Sequence, residues 1–194
     1  LQSYGGPLPK SWIDSHVELV KKVINRQLEL GMQPIQQGFS GYVPRELKNK
    51  YPDAKIQLQP SWCGFTGAAQ LDPTDSLFSA FGRDFLEEEK KLFGAHGVYA
   101  ADPFHESRPP IDTPEYLSAV GNSIYKLFQD FDPSASWAMQ AWSLREPIVK
   151  AVPKEHLLIL DLNGGRSRQE NTCWGYPVVA GNLHNFGGRI NLHG

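Results

Sequence analysis

His105 and Glu106 stand side by side in "YAADPFHESRPP", residues 99–110, where small apolar residues give way to Asp102, then to His-Glu, then to paired prolines. A carboxylate just past a buried strand, flanked by Phe104 and aromatic neighbours, would have its charged form disfavoured by desolvation. The resulting raised pKa suits a general acid at neutral pH. A solvated loop Glu that caps a backbone group or pairs with Arg108 would occupy the same place without doing chemistry, and the residues alone leave both readings open.

Tryptophan is the second group of interest, because its face stacks on the C–H face of a sugar ring while its N–H stays available as a donor. Trp137 lies inside "SASWAMQAW" and reads as core, whereas Trp142, at the end of that segment, and Trp62, in the loop "PSWCGF", suit the wall of a pocket. A third group is "GNLHNFGGR", residues 181–189. There His184 and Asn185 would serve either as hydrogen-bond partners of a polyhydroxylated ligand or as satisfied buried residues, and Gly187-Gly188 permit close backbone approach. His105, Glu106 and His184 would also supply a metal-dependent site, but no H-E-x-x-H or comparable ligand spacing supports one, so no metal is expected. A retaining glycosidase needs two carboxyl groups about 5–5.5 Å apart. Asp102 is too near Glu106 along the chain to face it easily across a sugar, and Asp161 is left as a geometric option.

Composition bounds the partners. The chain has 194 residues, 40% of them apolar and 11% aromatic, which is enough for one sizeable folded core. Its net charge is −2, with both signs interspersed and no basic block, so neither nucleic acid nor an anionic membrane surface is indicated. No apolar run approaches the roughly 20 residues of a membrane helix. The opening "LQSYGGPLPKSW" has neither a signal peptide's regions nor a Met, as expected of a processed product or an excerpt. Cys63 and Cys173 fit a disulfide or two free thiols equally, and neither has metal-ligand spacing.

The elements that must position these groups alternate. Residues 12–30 place Ile13, Val17, Val20, Ile24 and Leu28 at helical spacing, with Gly31 as the C-terminal cap. Residues 76–93 form a second amphipathic helix, with Leu77, Phe81, Phe85 and Leu92 on one side. "TPEYLSAVGNSIYKLFQDF" is a third, with Pro114 in its first turn after Thr113. Between and after them "MQPIQQGFSG", "AHGVYAADPF", "SASWAMQAW", "HLLILDLNGG" and "YPVVAGNLHNFGG" read as five strands. Pro147 and Pro153 leave room for only a helical turn before the fourth of these, and residues 41–75, rich in Pro, Gly and Gln, read as a loop excursion. Strand–helix alternation predicts a parallel sheet covered by helices. Each strand ends in groups with chemical potential: Phe39-Ser40, Asp102 to Glu106, Gln140 and Trp142, Asp161 and Asn163, and Asn182 to Asn185. Reactive groups gather at such ends in a (β/α)8 barrel, and also at the switch point of a doubly wound sheet. No phosphate-binding glycine motif follows any strand, so the barrel is favoured, incomplete at five strands.

Six blocks in order, "GGPLPKSW", "LGMQPIQQGFSGYVP", "YAADPFHE", "WAMQAW", "LLILDLNG" and "GNLHNFGGR", resemble the catalytic barrel of glycoside hydrolase family 89, the α-N-acetylglucosaminidases. The resemblance spans Gly5 to Arg189. It implies an exo-acting retaining hydrolase that removes terminal non-reducing α-linked N-acetylglucosamine from glycans without a cofactor. It also implies that Glu106, closing the "ADxFxE" block, is the acid/base, with His105 marking a bacterial-type sequence. Trp62 and Trp142 fall on positions that line the sugar pocket, and His184 and Asn185 on the mouth of a late strand. The family's nucleophile, a Glu on the loop beyond that strand, is expected outside this chain, as are the first two barrel strands. The visible strands would then be the third to seventh. The 194 residues would form part of one catalytic domain, inactive and open until the rest of the polypeptide completes it. The implied substrates are met outside the cytoplasm: in a periplasm or the extracellular space for a bacterium, in the lysosome for animal relatives. Two other readings stay open, a non-catalytic carbohydrate-binding relative and a metal-dependent hydrolase barrel.

Overall fold

The computed structural model describes residues 7–61, 63–161, 164–165 and 173–180. Three long helices occupy the segments whose periodicity predicts them: α1 (Lys10–Glu29), α3 (Ser76–Phe93) and α4 (Pro114–Phe131). Local chemistry sets their ends. The Asp75 side chain accepts from Leu77 N at 2.9 Å to open α3, and Thr113 does the same from Tyr116 N before Pro114 in α4. Gly94, at φ 81, ends α3 in a left-handed conformation that costs glycine nothing. A short helix α2 (Leu47–Lys50) lies in the long insert; α5 (Glu146–Lys150) carries Pro147 in its first turn, and one 3-10 turn (Lys154–His156) follows directly after Pro153.

Five strands, β1 (Gln36–Gln37), β5 (Val98–Ala100), β6 (Ser136–Gln140), β7 (Leu157–Asp161) and β8 (Val178–Ala180), form one sheet in that order. Every pair is parallel, with register Gln36 to Tyr99, Ala100 to Ala138, Met139 to Ile159 and Ile159 to Val178. Each strand pairs with the next of the set in chain order. A doubly wound sheet needs a reversal of that order, and none occurs among the described strands, so the sheet is an arc of a singly wound barrel.

The core lies between this sheet and α4. That helix buries Leu117, Val120, Ile124, Leu127 and Phe128. Tyr99 stacks on Phe128 with ring centroids 5.7 Å apart, and Trp137 meets Phe128 edge-on at 6.0 Å. Each such side chain contributes about 1.5–3 kcal/mol through burial. Trp137 is 1% exposed and gives its Nε1 hydrogen to Ala101 O at 2.7 Å, in agreement with its reading as core.

Two expectations change, and one open alternative closes. Residues 41–75 hold a second sheet, antiparallel in the order β2 (Tyr42–Val43), β4 (Ala69–Leu71), β3 (Ile56–Leu58), where the sequence suggested only a loop. Helix α3 buries Phe78, Gly82 and Leu86, whereas Phe85 and Leu92 of the expected face are 39% and 44% exposed. Gly82 admits the Leu127 side chain, which a Cβ would strike at 3.0 Å or less, so α4 seats one row over from the larger apolar stripe. Cys63 and Cys173 are free thiols, the first exposed and the second buried. No helix among the described residues is long and apolar enough to cross a membrane.

Candidate active site

The segment after β5 turns on two residues that sequence rules would not place there. Phe104 and Glu106 adopt φ of 58° and 50°, a left-handed conformation that costs an L-residue roughly 1–2 kcal/mol. Phe104 offsets its share by burial, at 1% exposure. The turn closes with Ser107 N donating to Phe104 O at 3.2 Å. Its effect is to sink Phe104 and lift Glu106 out, so the carboxylate is exposed at the C-terminal end of the sheet.

The end of β6 meets this turn. The Gln140 backbone N–H donates to Asp102 Oδ1 at 2.8 Å, and the Trp142 indole Nε1 donates to Glu106 Oε1 at 3.1 Å. The His105 ring lies 6.3 Å from that of Trp142. Glu106 therefore has a donor fixing one carboxylate oxygen, and no ion pair among the described residues joins it to Arg108. Glu106 is exposed, and the burial expected there is found at Asp102. Burial raises the Asp102 pKa above its ordinary value, while the Gln140 N–H and the nearby His105 pull it back.

A cleft of about 310 Å³ opens beside the turn. His105, Glu106 and Ser107 form one wall; the insert forms the other, with Tyr42, Gln59 and Phe65 among its residues. Tyr42 and Phe65 are 40% and 52% exposed, so two aromatic faces are open to a ligand in the cleft. The sequence reading missed both, because an exposed aromatic in a segment taken for loop gives no periodic signal. Ser61 and Cys63, the neighbours of Trp62, are described, and Ser61 lines the cleft. Trp62 itself, His184 and Asn185 lie outside the described residues. The structure thus brings together Glu106, His105 and Trp142.

Among the described residues Glu106 is the carboxylate that lines the cleft. Asp161 is 4% exposed at the end of β7, and Asp102 is committed to the Gln140 N–H. The described residues also contain no group of three or more His, Cys, Asp or Glu placed to hold a metal ion, and the metal reading's third member, His184, is outside them. What the cleft can do is place one carboxyl group, held by an indole N–H, against a polar ligand flanked by aromatic rings.

The "Alpha-N-acetylglucosaminidase (NAGLU) tim-barrel domain" model matches residues 1–194. The human α-N-acetylglucosaminidase is 31% identical over 212 aligned residues, covering 100% of this chain and 28% of that enzyme. A family 89 glycoside hydrolase from Clostridium perfringens, solved in complex with PUGNAc, superposes with a TM-score of 0.83 at 31% identity, covering 95% of this chain and 22% of that one. A form of that enzyme carrying two Glu-to-Gln substitutions, in complex with its substrate GlcNAc-α-1,4-galactose, gives the same TM-score of 0.83 at 30% identity and covers 96% of this chain. The chain thus spans about a quarter of the length of these relatives. It belongs to the α-N-acetylglucosaminidase family, glycoside hydrolase family 89, and is part of that family's TIM-barrel domain.

Proposed function

We propose that the full polypeptide hydrolyses terminal non-reducing α-linked N-acetylglucosamine with retention of anomeric configuration, and that Glu106 is its acid/base. The observation that carries this reading is the Glu106 carboxylate, exposed in the cleft at the C-terminal end of a parallel strand with Oε1 held by Trp142 Nε1 at 3.1 Å. In the first step Glu106 gives its proton to the glycosidic oxygen as the bond to the anomeric carbon breaks. A second carboxylate, supplied from beyond Gly194, attacks that carbon from the opposite face. Glu106, now ionised, then takes a proton from water, whose oxygen displaces the second carboxylate. The indole N–H serves both steps: it orients the acid and stabilises the carboxylate left after proton transfer.

Trp62, His105, Trp142, His184 and Asn185 are assigned to the sugar, the tryptophans by stacking and the polar groups by hydrogen bonding. The reaction requires neither metal nor organic cofactor, since both proton transfers and the nucleophile come from carboxyl groups. A disaccharide such as GlcNAc-α-1,4-galactose, the substrate in the Clostridium perfringens complex, is the kind of ligand the reading implies. Because glycans with such ends are met outside the cytoplasm, we place the protein there. Proton NMR of the first product of an aryl α-N-acetylglucosaminide, using the full-length protein, tests the reaction. The α-anomer should appear before mutarotation. The β-anomer first would overturn retention, and binding of the sugar without hydrolysis would identify a non-catalytic relative.

A further inference from the structure

We propose that Arg145 is a positioning residue for the acid/base, a role that rests on the assignment of Glu106. The turn bearing Glu106 has two left-handed L-residues in three positions, Phe104 and Glu106. Relaxing either would relieve that strain and swing the carboxylate out of place. Something must therefore hold the turn from outside, on both sides of Glu106.

Arg145 is placed to do so. Its guanidinium lies 5.8 Å from the centre of the buried Phe104 ring. Nη2 donates to Ser107 O at 3.2 Å, and Nη1 donates to Ser143 O at 3.3 Å. One planar group thus spans the turn, resting on the residue two before Glu106 and binding the carbonyl of the residue after it, while tied to its own loop. Arg145 also stands at the N-cap of α5, a helix anchored by buried Ile148 and Val149, so its backbone is fixed. Its hydrogen bonds go to carbonyls and not to the carboxylate, which is held by Trp142. A lysine would supply the charge, but neither the flat face for Phe104 nor two diverging N–H donors.

The experiment compares Arg145→Lys and Arg145→Ala in the full-length protein, with Glu106→Gln alongside. The readout is kcat/KM on a 2,4-dinitrophenyl α-N-acetylglucosaminide, which leaves without protonation, and on GlcNAc-α-1,4-galactose, which needs it. Both assays draw on the same active population, so the ratio of the two losses does not depend on how much protein folds. If Arg145→Ala gives no folded protein, Arg145→Lys supplies the ratio. A misaimed acid should lower kcat/KM about 100-fold on the disaccharide and by less than about 3-fold on the activated glycoside. Equal losses on both substrates, or no loss on either, would overturn the role of Arg145, while selective loss in Glu106→Gln would leave the acid assignment standing. Glu106→Gln without selective loss would overturn both.

Discussion

Asp102 and Glu106 are four residues apart and live in different media. Asp102 sits partly buried with Oδ1 on the Gln140 N–H, and burial raises its pKa above the ordinary 3.8. Glu106 is exposed and holds the Trp142 indole. The raised pKa of Asp102 makes the folded chain bind a proton more tightly than the unfolded one. The associated stability is fully present below pH 3.8 and is lost as pH rises through the raised value. Asp102→Asn keeps an oxygen acceptor for Gln140 and removes the buried charge. Its thermal midpoint in the full-length protein, relative to the parent's, should therefore rise between pH 4 and pH 7. An offset that is the same at both pH values would show that the charge of Asp102 is not what costs stability. The carboxylates of this loop were visible in the sequence, but their environments were not. Burial was expected at Glu106 because Phe104 is its near neighbour, and only the left-handed turn, unmarked by Gly or Asn, sends Phe104 inward and Glu106 outward. Arg145 was invisible for the same reason: its partners are the ring and carbonyl which that turn presents.

Among the elements, those with long periods were legible. Helix α1 was read at 12–30 and spans Lys10–Glu29; α3 was read at 76–93 and spans Ser76–Phe93. The five parallel strands followed from alternation with helices. Their order identifies the singly wound sheet, which no single segment encodes. The insert's antiparallel sheet was missed because strands of two or three residues are too short for a period of two to register. That sheet is nonetheless what turns the strand-end rule into a cleft, since its strand β2 carries Tyr42, and its connections Gln59 and Phe65, opposite Glu106. The seating of helices depends on small residues that periodicity ignores. At Gly121 of α4 a Cβ would meet Ile148 O at 2.6 Å and the Ala151 Cβ at 2.9 Å, the first a backbone atom that cannot swing aside. Gly121→Ala should thus push α5 away and cost about 1–3 kcal/mol. Because Arg145 caps α5, activity should fall with stability. A thermal midpoint at or above the parent's would show that the two helices separate freely.

At the scale of the whole molecule the described residues form an arc whose edge strands are β1 and β8. Helix α1 has no buried residue, and Ile13, Val20, Val23 and Leu28 are 46%, 38%, 47% and 46% exposed. An amphipathic helix of this kind needs a covering surface. Chemistry has the same requirement, since among the described residues the cleft shows one carboxylate and a two-step displacement needs two. The central claim, that Glu106 is the acid/base of a retaining site completed by the rest of the polypeptide, is therefore tested in the full-length protein by azide rescue of Glu106→Gln. With the acid/base gone, a 2,4-dinitrophenyl α-N-acetylglucosaminide should still form the glycosyl-enzyme. Water, lacking its base, should then release the sugar at least 100-fold more slowly than in the parent. Azide needs no base, so it should restore turnover and yield the α-glycosyl azide. Parent-like turnover without azide, or an azide product of β configuration, would contradict the account.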